Sequence, residues 1–353
     1  MYERTFFLNY IFKFLIIFKF LLFYHISELN LEFNYYDFNH KIIIYLLLLN
    51  SLLICLDIII IVLIRVAFLT LLERKILSYI QLRKGPNKVG FIGLLQPFSD
   101  AIKLFRKENN LVLKSNYFIY LICPIFILIC ILIIWQNIPI LSKILSINFS
   151  LLIILCIISL NGIFFIFRGW FSNSKYSIIG RIRALAQTIS YEIVIILIIL
   201  NLILLVESFN FYKFIFLQKY IWFFLINFFL ILIFYVVLLA ELNRTPFDIS
   251  EGESELVSGF NIEYIRGRFA IIFISEYGII IFNIFIFIFF FLGGKFIYIR
   301  FYLIYLILLF LIIWIRGTLP RIRYDNLIYL TWKSYLPLSL NYIIIILILK
   351  LII

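Results

Sequence analysis

Long apolar runs broken by short charged connections set the pattern of this 353-residue chain. After the N-terminal region, eight such runs lie near residues 42–72, 117–136, 148–167, 185–206, 220–241, 270–292, 299–316 and 335–353. A run of roughly 18 apolar residues is long enough for a helix to cross the hydrocarbon. None of the runs alternates apolar and polar positions as a membrane barrel does, and only a helix satisfies its own backbone one segment at a time in lipid. The pattern predicts an all-α, polytopic membrane bundle of about eight transmembrane helices over 42–353. Charged connections are expected at 73–116, 168–184, 241–269 and 316–334.

Residues 1–41 stand apart as an N-terminal extension. Its apolar stretch from Phe6 to Tyr24 carries Lys13 and Lys19, and a polar segment with Glu28, Glu32, Asp37 and His40 follows. Two lysines near the middle of a span are costly unless they snorkel, so an extra transmembrane helix and an interfacial amphipathic helix both fit. A secretory signal fits less well, because no small-residue cleavage site follows.

Composition agrees with the pattern: 65% of residues are apolar and 14% charged, too little polar surface to cover a soluble domain. The net charge of +13 would suggest nucleic acid in a soluble protein, but here its distribution decides its meaning. The first connection holds Arg74, Lys75, Arg83, Lys84, Lys88, Lys103, Arg106 and Lys107. Alternate connections add Arg168, Lys175, Arg181 and Arg183, then Arg244, Arg266 and Arg268, then Arg316, Arg321, Arg323 and Lys333. The intervening ones offer only Lys143, then Lys213 and Lys219, then Lys295 and Arg300. The positive-inside rule therefore places the heavily charged connections in the cytosol or its organelle equivalent, and both ends of the eight-span core on the other side.

Cofactor chemistry finds little support. Cys55, Cys123, Cys130 and Cys156 fall inside predicted spans at spacings that fit neither an iron–sulfur cluster nor a zinc site, and read as buried packing residues. The only histidines, His25 and His40, lie in the extension, so the spans cannot supply bis-histidine haem ligation. Arg83 to Lys88 lacks P-loop spacing, and no Gly-rich dinucleotide fingerprint follows a strand. The chain is expected to bind neither nucleotide nor redox metal.

The strongest local signal is the stretch from Ala240 to Glu255, followed by Glu263. Glu241, Asp248, Glu251, Glu253, Glu255 and Glu263 gather six of the chain's eighteen acids in one connection. Thr245 is placed to cap a short helix, with Pro246 as its first residue and Asp248 in the first turn. If that helix continues, Glu251 and Glu255 share a face. Crowded carboxylates beside a membrane raise one another's proton affinity, as a proton relay requires. A solvated acidic face with Glu241 paired to Arg244 is the competing reading, and the sequence leaves both open. Glu192 at the start of the fourth span and Glu276 within the sixth are intramembrane carboxylates and so functional candidates. Asp57 and Arg65, eight residues apart in the first span, read rather as pairing or snorkelling groups. From Ile76, apolar residues at helical spacing suggest an amphipathic surface segment stopped by Gly85-Pro86, a lipid anchor or a substrate surface. Asp100 stands out among its cations.

These segments, together with Gly169 to Tyr176, Arg183 to Glu192 and Trp314 to Asp325, resemble the subunit-1 family of the membrane arm of respiratory NADH:ubiquinone oxidoreductase (complex I), which includes the bacterial H subunit. The likeness runs in order from about residue 66 to 338. It implies a bundle at the heel of complex I that binds no cofactor itself, FMN and the iron–sulfur clusters belonging to partner subunits. It also implies a chamber for ubiquinone, the substrate, lined or gated by Arg74, Arg83, Lys84, Asp100 and Phe273. Glu241, Asp248, Glu251, Glu253, Glu255 and Glu263 would form the acidic loop beside it, and Glu192 and Glu276 would carry the proton path into the membrane arm. The implied partners are the quinone-site and terminal iron–sulfur subunits of the peripheral arm, adjacent small membrane subunits and lipids, with no nucleic acid. The abundant Phe, Ile, Tyr, Asn and Lys fit an A+T-rich organellar gene, and the implied location is the mitochondrial inner membrane with the charged loops in the matrix. Departures from the family pattern are the extension, Asn109-Asn110 where a proline turn often occurs, and Asp57 with Arg65.

Two other functions also fit the sequence: a related ion-translocating subunit of a membrane-bound hydrogenase or antiporter complex without quinone, and a passive anchor for the peripheral arm. The extension is expected to pack against an accessory subunit. Deleting residues 1–41 should therefore disturb assembly on native gels, and a fully assembled truncated complex would refute that role.

Overall fold

The computed structural model describes residues 38–108, 115–138, 149–219, 221–249, 264, 266–294 and 298–352, with side chains from residue 49 onward. Among them there are helices and turns and no strand. The order is α1 (Phe38–Ile80), a 3₁₀ turn (Phe91–Gly93), α2 (Gln96–Arg106), α3 (Tyr117–Gln136), α4 (Ser150–Trp170), α5 (Lys175–Val206), α6 (Phe211–Leu217), α7 (Phe223–Ile226), α8 (Phe228–Glu241), α9 (Gly267–Phe291), α10 (Ile299–Thr318), α11 (Tyr324–Tyr329), and α12 (Leu336–Ile352), which continues α11 through a π turn (Leu330–Tyr335). Among the described residues, seven helices are long and apolar enough to cross a membrane, as a polytopic bundle requires.

The run near 220–241 departs from a single span. Asn227 leaves helical geometry (φ −119°, ψ 45°) and separates α7 from α8, so α8 has 14 residues. At 1.5 Å per residue it is about 21 Å long. An asparagine side chain competes with the helical backbone for hydrogen bonds, an effect that averaged hydropathy does not register.

Two other expectations are corrected. The surface amphipathic segment is not at Ile76, because α1 runs on to Ile80 and the charged trio Glu73, Arg74 and Lys75 lies in its final turns. The surface helix is α2. Pro97 stands at its start, Lys103 and Arg106 oppose the dipole in its last turn, and it has no buried residue. The connection between α1 and α2 closes at Gly93, where φ is +77° and an added Cβ would lie 2.2 Å from the Pro86 carbonyl oxygen. Cys123 and Cys130 are buried as expected, whereas Cys156 is exposed on the outside of α4.

The centre of the bundle is α9, which packs against α1, α3, α8 and α10. Gly278 lets α3 approach, since a Cβ there would sit 3.0 Å from Ile131. In lipid there is little hydrophobic gain in bringing helices together, so close packing and dispersion hold the bundle. The second half of α9 supplies it with phenylalanines. Phe289 meets Phe211 edge-on at 4.8 Å, Phe290 lies 5.6 Å from Phe214, and Phe291 lies 5.5 Å from Phe234. At the same end of the bundle, Lys350 on α12 is paired with Glu207, which follows α5. The hydrogen bond from Lys350 and its charge hold the Glu207 carboxyl below the usual carboxylate range. This tie is complete above the ordinary glutamate pKa and is lost as pH falls through the depressed one.

Phe290 is fully buried, so Phe290→Ala should leave a cavity and cost about 3 kcal/mol. Loss of assembled complex on native gels, or a lower melting temperature of the complex, is the measurement.

Candidate functional site

At the opposite, charged end of the bundle, ion pairs take over from aromatic packing. Glu276, on α9 and 8% exposed, is held between two arginines. Arg168 at the end of α4 approaches Oε1 at 3.4 Å, and Arg244 after α8 approaches Oε2 at 3.2 Å. Arg168 is fully buried, its guanidinium lies 4.3 Å from the Phe165 ring, and its carbonyl accepts a hydrogen bond from Tyr264 at 3.2 Å. Tyr264 stacks on Tyr120 at 4.4 Å, and burial pushes its phenol above the usual range. Arg244 also faces the rings of Phe273 and Tyr277, at 5.5 and 5.2 Å. One carboxylate thus ties a fully buried guanidinium to a partly buried one in a low-dielectric setting. Such a group is stable only with every partner in place.

A second knot lies beside it. The Tyr277 hydroxyl donates to Glu73, and Arg316 at the end of α10 pairs with the same carboxylate. A cavity of about 400 Å³ is lined by Glu73, Arg244, Tyr277 and Arg316 together with Leu69, Leu239 and Ile313. A larger one, about 650 Å³ and partly open, brings Glu192, Glu241 and Glu276 together with Asn161, Gln187 and Tyr191. Glu192 Oε1 has no hydrogen-bond partner among the described residues. Glu241 accepts from Asn283 at 2.9 Å and reaches a third space of about 250 Å³ lined also by Asn161 and Asn283. Two carboxylates read as intramembrane, Glu192 and Glu276, thus converge with Glu241 of the acidic connection.

The connection after α8 is fastened from two sides. Gln187 on α5 donates to the carbonyls of Ala240 at 2.8 Å and Phe247 at 3.1 Å. The Pro246 carbonyl accepts from the Ile322 amide at 2.9 Å, and Asp248 pairs with Arg321 at 3.1 Å. The expected helix cap fails here. Residues 242–249 form turns, and the Thr245 hydroxyl donates to the Arg316 carbonyl at 3.1 Å instead. The expected alternative pairing of Glu241 with Arg244 also fails, since Glu276 holds Arg244. Glu251, Glu253, Glu255 and Glu263 lie outside the described residues.

Of the positions expected around a chamber, Arg74 and Asp100 form an ion pair between α1 and α2, with Gln96 donating to Asp100 at 3.0 Å. Phe273 is half-buried beside Arg244. Arg83 and Lys84 are exposed on the connection after α1, and neither lines the two cavities that hold the acids. Asp57 and Arg65 are both exposed on α1. Glu73, Arg168, Gln187, Tyr277 and Arg316 are the residues that sequence reasoning did not single out. Among the described residues, no group of three His, Cys, Asp or Glu side chains is arranged to hold a metal ion.

Arg168→Gln would remove one of two cations from a buried carboxylate and should destabilise the subunit by about 3 kcal/mol. The check is a lower melting temperature, with a smaller loss for Arg168→Lys, which keeps a cation at the same place.

Residues 53–347 match the family described as NADH dehydrogenase. The chain is 55% identical over 282 residues to NADH-ubiquinone oxidoreductase chain 1 of Aedes aegypti, covering 80% of this chain and 90% of the relative. It is 54% identical over 285 residues to the Locusta migratoria protein of the same name, covering 81% and 91%. The Lampetra fluviatilis protein of that name is 48% identical over 288 residues, covering 79% and 89%. A match of this extent, on a bundle whose buried charges fall within the matched span, shows that the chain belongs to the NADH dehydrogenase family, in the company of proteins named NADH-ubiquinone oxidoreductase chain 1.

Proposed function

We propose that this chain is the core membrane subunit of a proton-pumping NADH:ubiquinone oxidoreductase, and that it links quinone reduction to proton movement through the acids at its charged end. The observation that carries the reading is the convergence of Glu192, Glu241 and Glu276 on one partly open cavity, behind a turn that Gln187 fastens to α5. Quinone reduction needs two electrons and two protons, and these carboxylates are groups suited to the protons. FMN and iron–sulfur clusters belong to partner subunits in this reading, and ubiquinone is the substrate.

In this reading the quinone chamber would lie against α1, α2 and the start of α9, where Arg74, Asp100 and Phe273 lie, with Arg83 and Lys84 on the adjoining connection. Phe273 and Arg244 are in contact, so a negative charge developing on the reduced headgroup would compete with Glu276 for the Arg244 guanidinium. That competition changes the charge around the cavity, and protons redistribute over Glu276, Glu241 and Glu192. Asp248 and the remaining loop acids Glu251, Glu253, Glu255 and Glu263 would extend the path toward the chamber. The quinone-site and terminal iron–sulfur subunits would dock on this end, with small membrane subunits and lipids along the bundle. The location in this reading is the mitochondrial inner membrane, with the charged end in the matrix.

Glu192→Gln keeps the shape of the cavity and removes an ionisable group. It should lower quinone-linked NADH oxidation about tenfold or more, the scale on which a lost proton-transfer group acts. Reduction of a water-soluble acceptor by the peripheral arm should stay unchanged. Normal quinone turnover and pumping in this variant would refute the coupling role. A complex that pumps at full rate after complete quinone extraction would refute the quinone reading itself.

A further inference from the structure

The end of the bundle away from the acids carries few cations, as expected for the translocated side of a membrane protein. Two of those few, Lys219 and Arg300, line one cleft of about 440 Å³ between the segment after α6 and the start of α10. None of the described lining residues is acidic. A further polar group in the cleft is Gln218, only 3% exposed. Its amide nitrogen donates to the Phe290 carbonyl, while its Oε1 is buried with no partner among the described residues. A buried amide oxygen in that state costs of order 1–3 kcal/mol unless a donor reaches it. Space for such a donor comes from Gly293. Its φ is +83°, and a Cβ there would stand 3.5 Å from Trp222 Nε1 and 3.8 Å from Gln218 Oε1, in front of both. The Arg300 guanidinium rests 4.9 Å over the Trp222 ring, which fixes it at the rim.

We infer that this cleft binds the headgroup of an anionic phospholipid bearing a free hydroxyl, of the phosphatidylglycerol class. Lys219 and Arg300 supply donors and charge for the phosphodiester, and Gln218 Oε1 accepts from the headgroup hydroxyl. Trp222 and Tyr298 sit where interfacial aromatics are favoured. Ile299 and Leu303 on α10 and Leu225 on α7 are 77%, 56% and 72% exposed, an apolar flank along which acyl chains can lie. A choline headgroup has no hydroxyl or ammonium hydrogen to offer Gln218. An ethanolamine headgroup has such a donor, but its net charge of zero leaves the two cations less well matched. The cleft lies at the other end of the bundle from the acids, so this assignment does not rest on the proposed function.

The test uses the intact complex in phosphatidylcholine vesicles containing a small fraction of photoactivatable phosphatidylglycerol. Irradiation should place adducts on the peptides covering 215–226 and 293–304. Unlabelled phosphatidylglycerol should compete at least about tenfold better than phosphatidylcholine or phosphatidylethanolamine, a difference of about 1.4 kcal/mol, and inorganic phosphate should not compete. Gln218→Leu with Arg300→Gln should lower labelling here by a similar factor and leave it unchanged elsewhere. Labelling no stronger than on the rest of the bundle, equal competition by phosphatidylcholine or by inorganic phosphate, or a cross-link to a neighbouring subunit across the cleft would overturn the assignment. If the substituted complex does not assemble, competition on the unsubstituted complex decides.

Discussion

Compensation of buried charge is the constraint on which this bundle depends. A carboxylate in the most enclosed helix, α9, has a stable place only because Arg168 and Arg244 reach it from two other elements. The arrangement fixes the end of α4, the end of α8 and the middle of α9 relative to one another. It does so at the level where dispersive aromatic packing gives way to polar contacts. Glu73, Tyr277 and Arg316 repeat the device between α1, α9 and α10. Because each carboxylate has partners on separate helices, a change in one helix alters the electrostatics felt by the others. An assembly coupling a charge change at one place to proton movement at another needs such shared partners.

The two ends of the molecule answer to different forces. Away from the acids, α6, α8 and α9 are joined by phenylalanine rings, with few ionic contacts among the described residues. Near the acids, a side-chain amide fastens a turn to α5 through Gln187, and a guanidinium joins the same turn to the connection between α10 and α11 through Arg321. A rigid aromatic half beneath a polar, chargeable half gives the site a fixed base against which its connections can be held.

Most of the architecture was legible in the sequence, because length and apolar content decide what crosses a bilayer. The candidate acids were legible too, since an ionisable group inside a span is rare and stands out. Their partners were not. Arg168 looked like one cation among several in a connection, and only the meeting of α4 with α9, 108 residues apart, gives it Glu276. Glu73 read as a loop residue because the apolar run ends near Leu72, yet α1 continues and carries it to Arg316. Thr245 fits a helix cap by local rules, but the Arg316 carbonyl, 71 residues away, takes its hydroxyl. Long-range hydrogen bonds overrode local propensity at each of these positions, and a single sequence holds no record of which distant groups meet. Asn227 is the opposite case: one residue within a uniformly apolar run breaks the helix, and averaging over the run hides it.

That break has an electrical consequence. The break puts backbone groups at membrane depth outside regular helix, and such groups are tolerated only beside protein or water, so water entering next to Asn227 would shorten the dry barrier along α8. The membrane voltage falls mainly across the dry, low-dielectric part of the barrier. Where that part is thin the field is steep, and a proton displaced by a few ångströms near Glu241 traverses a larger share of the voltage than the same displacement would across a full-length span.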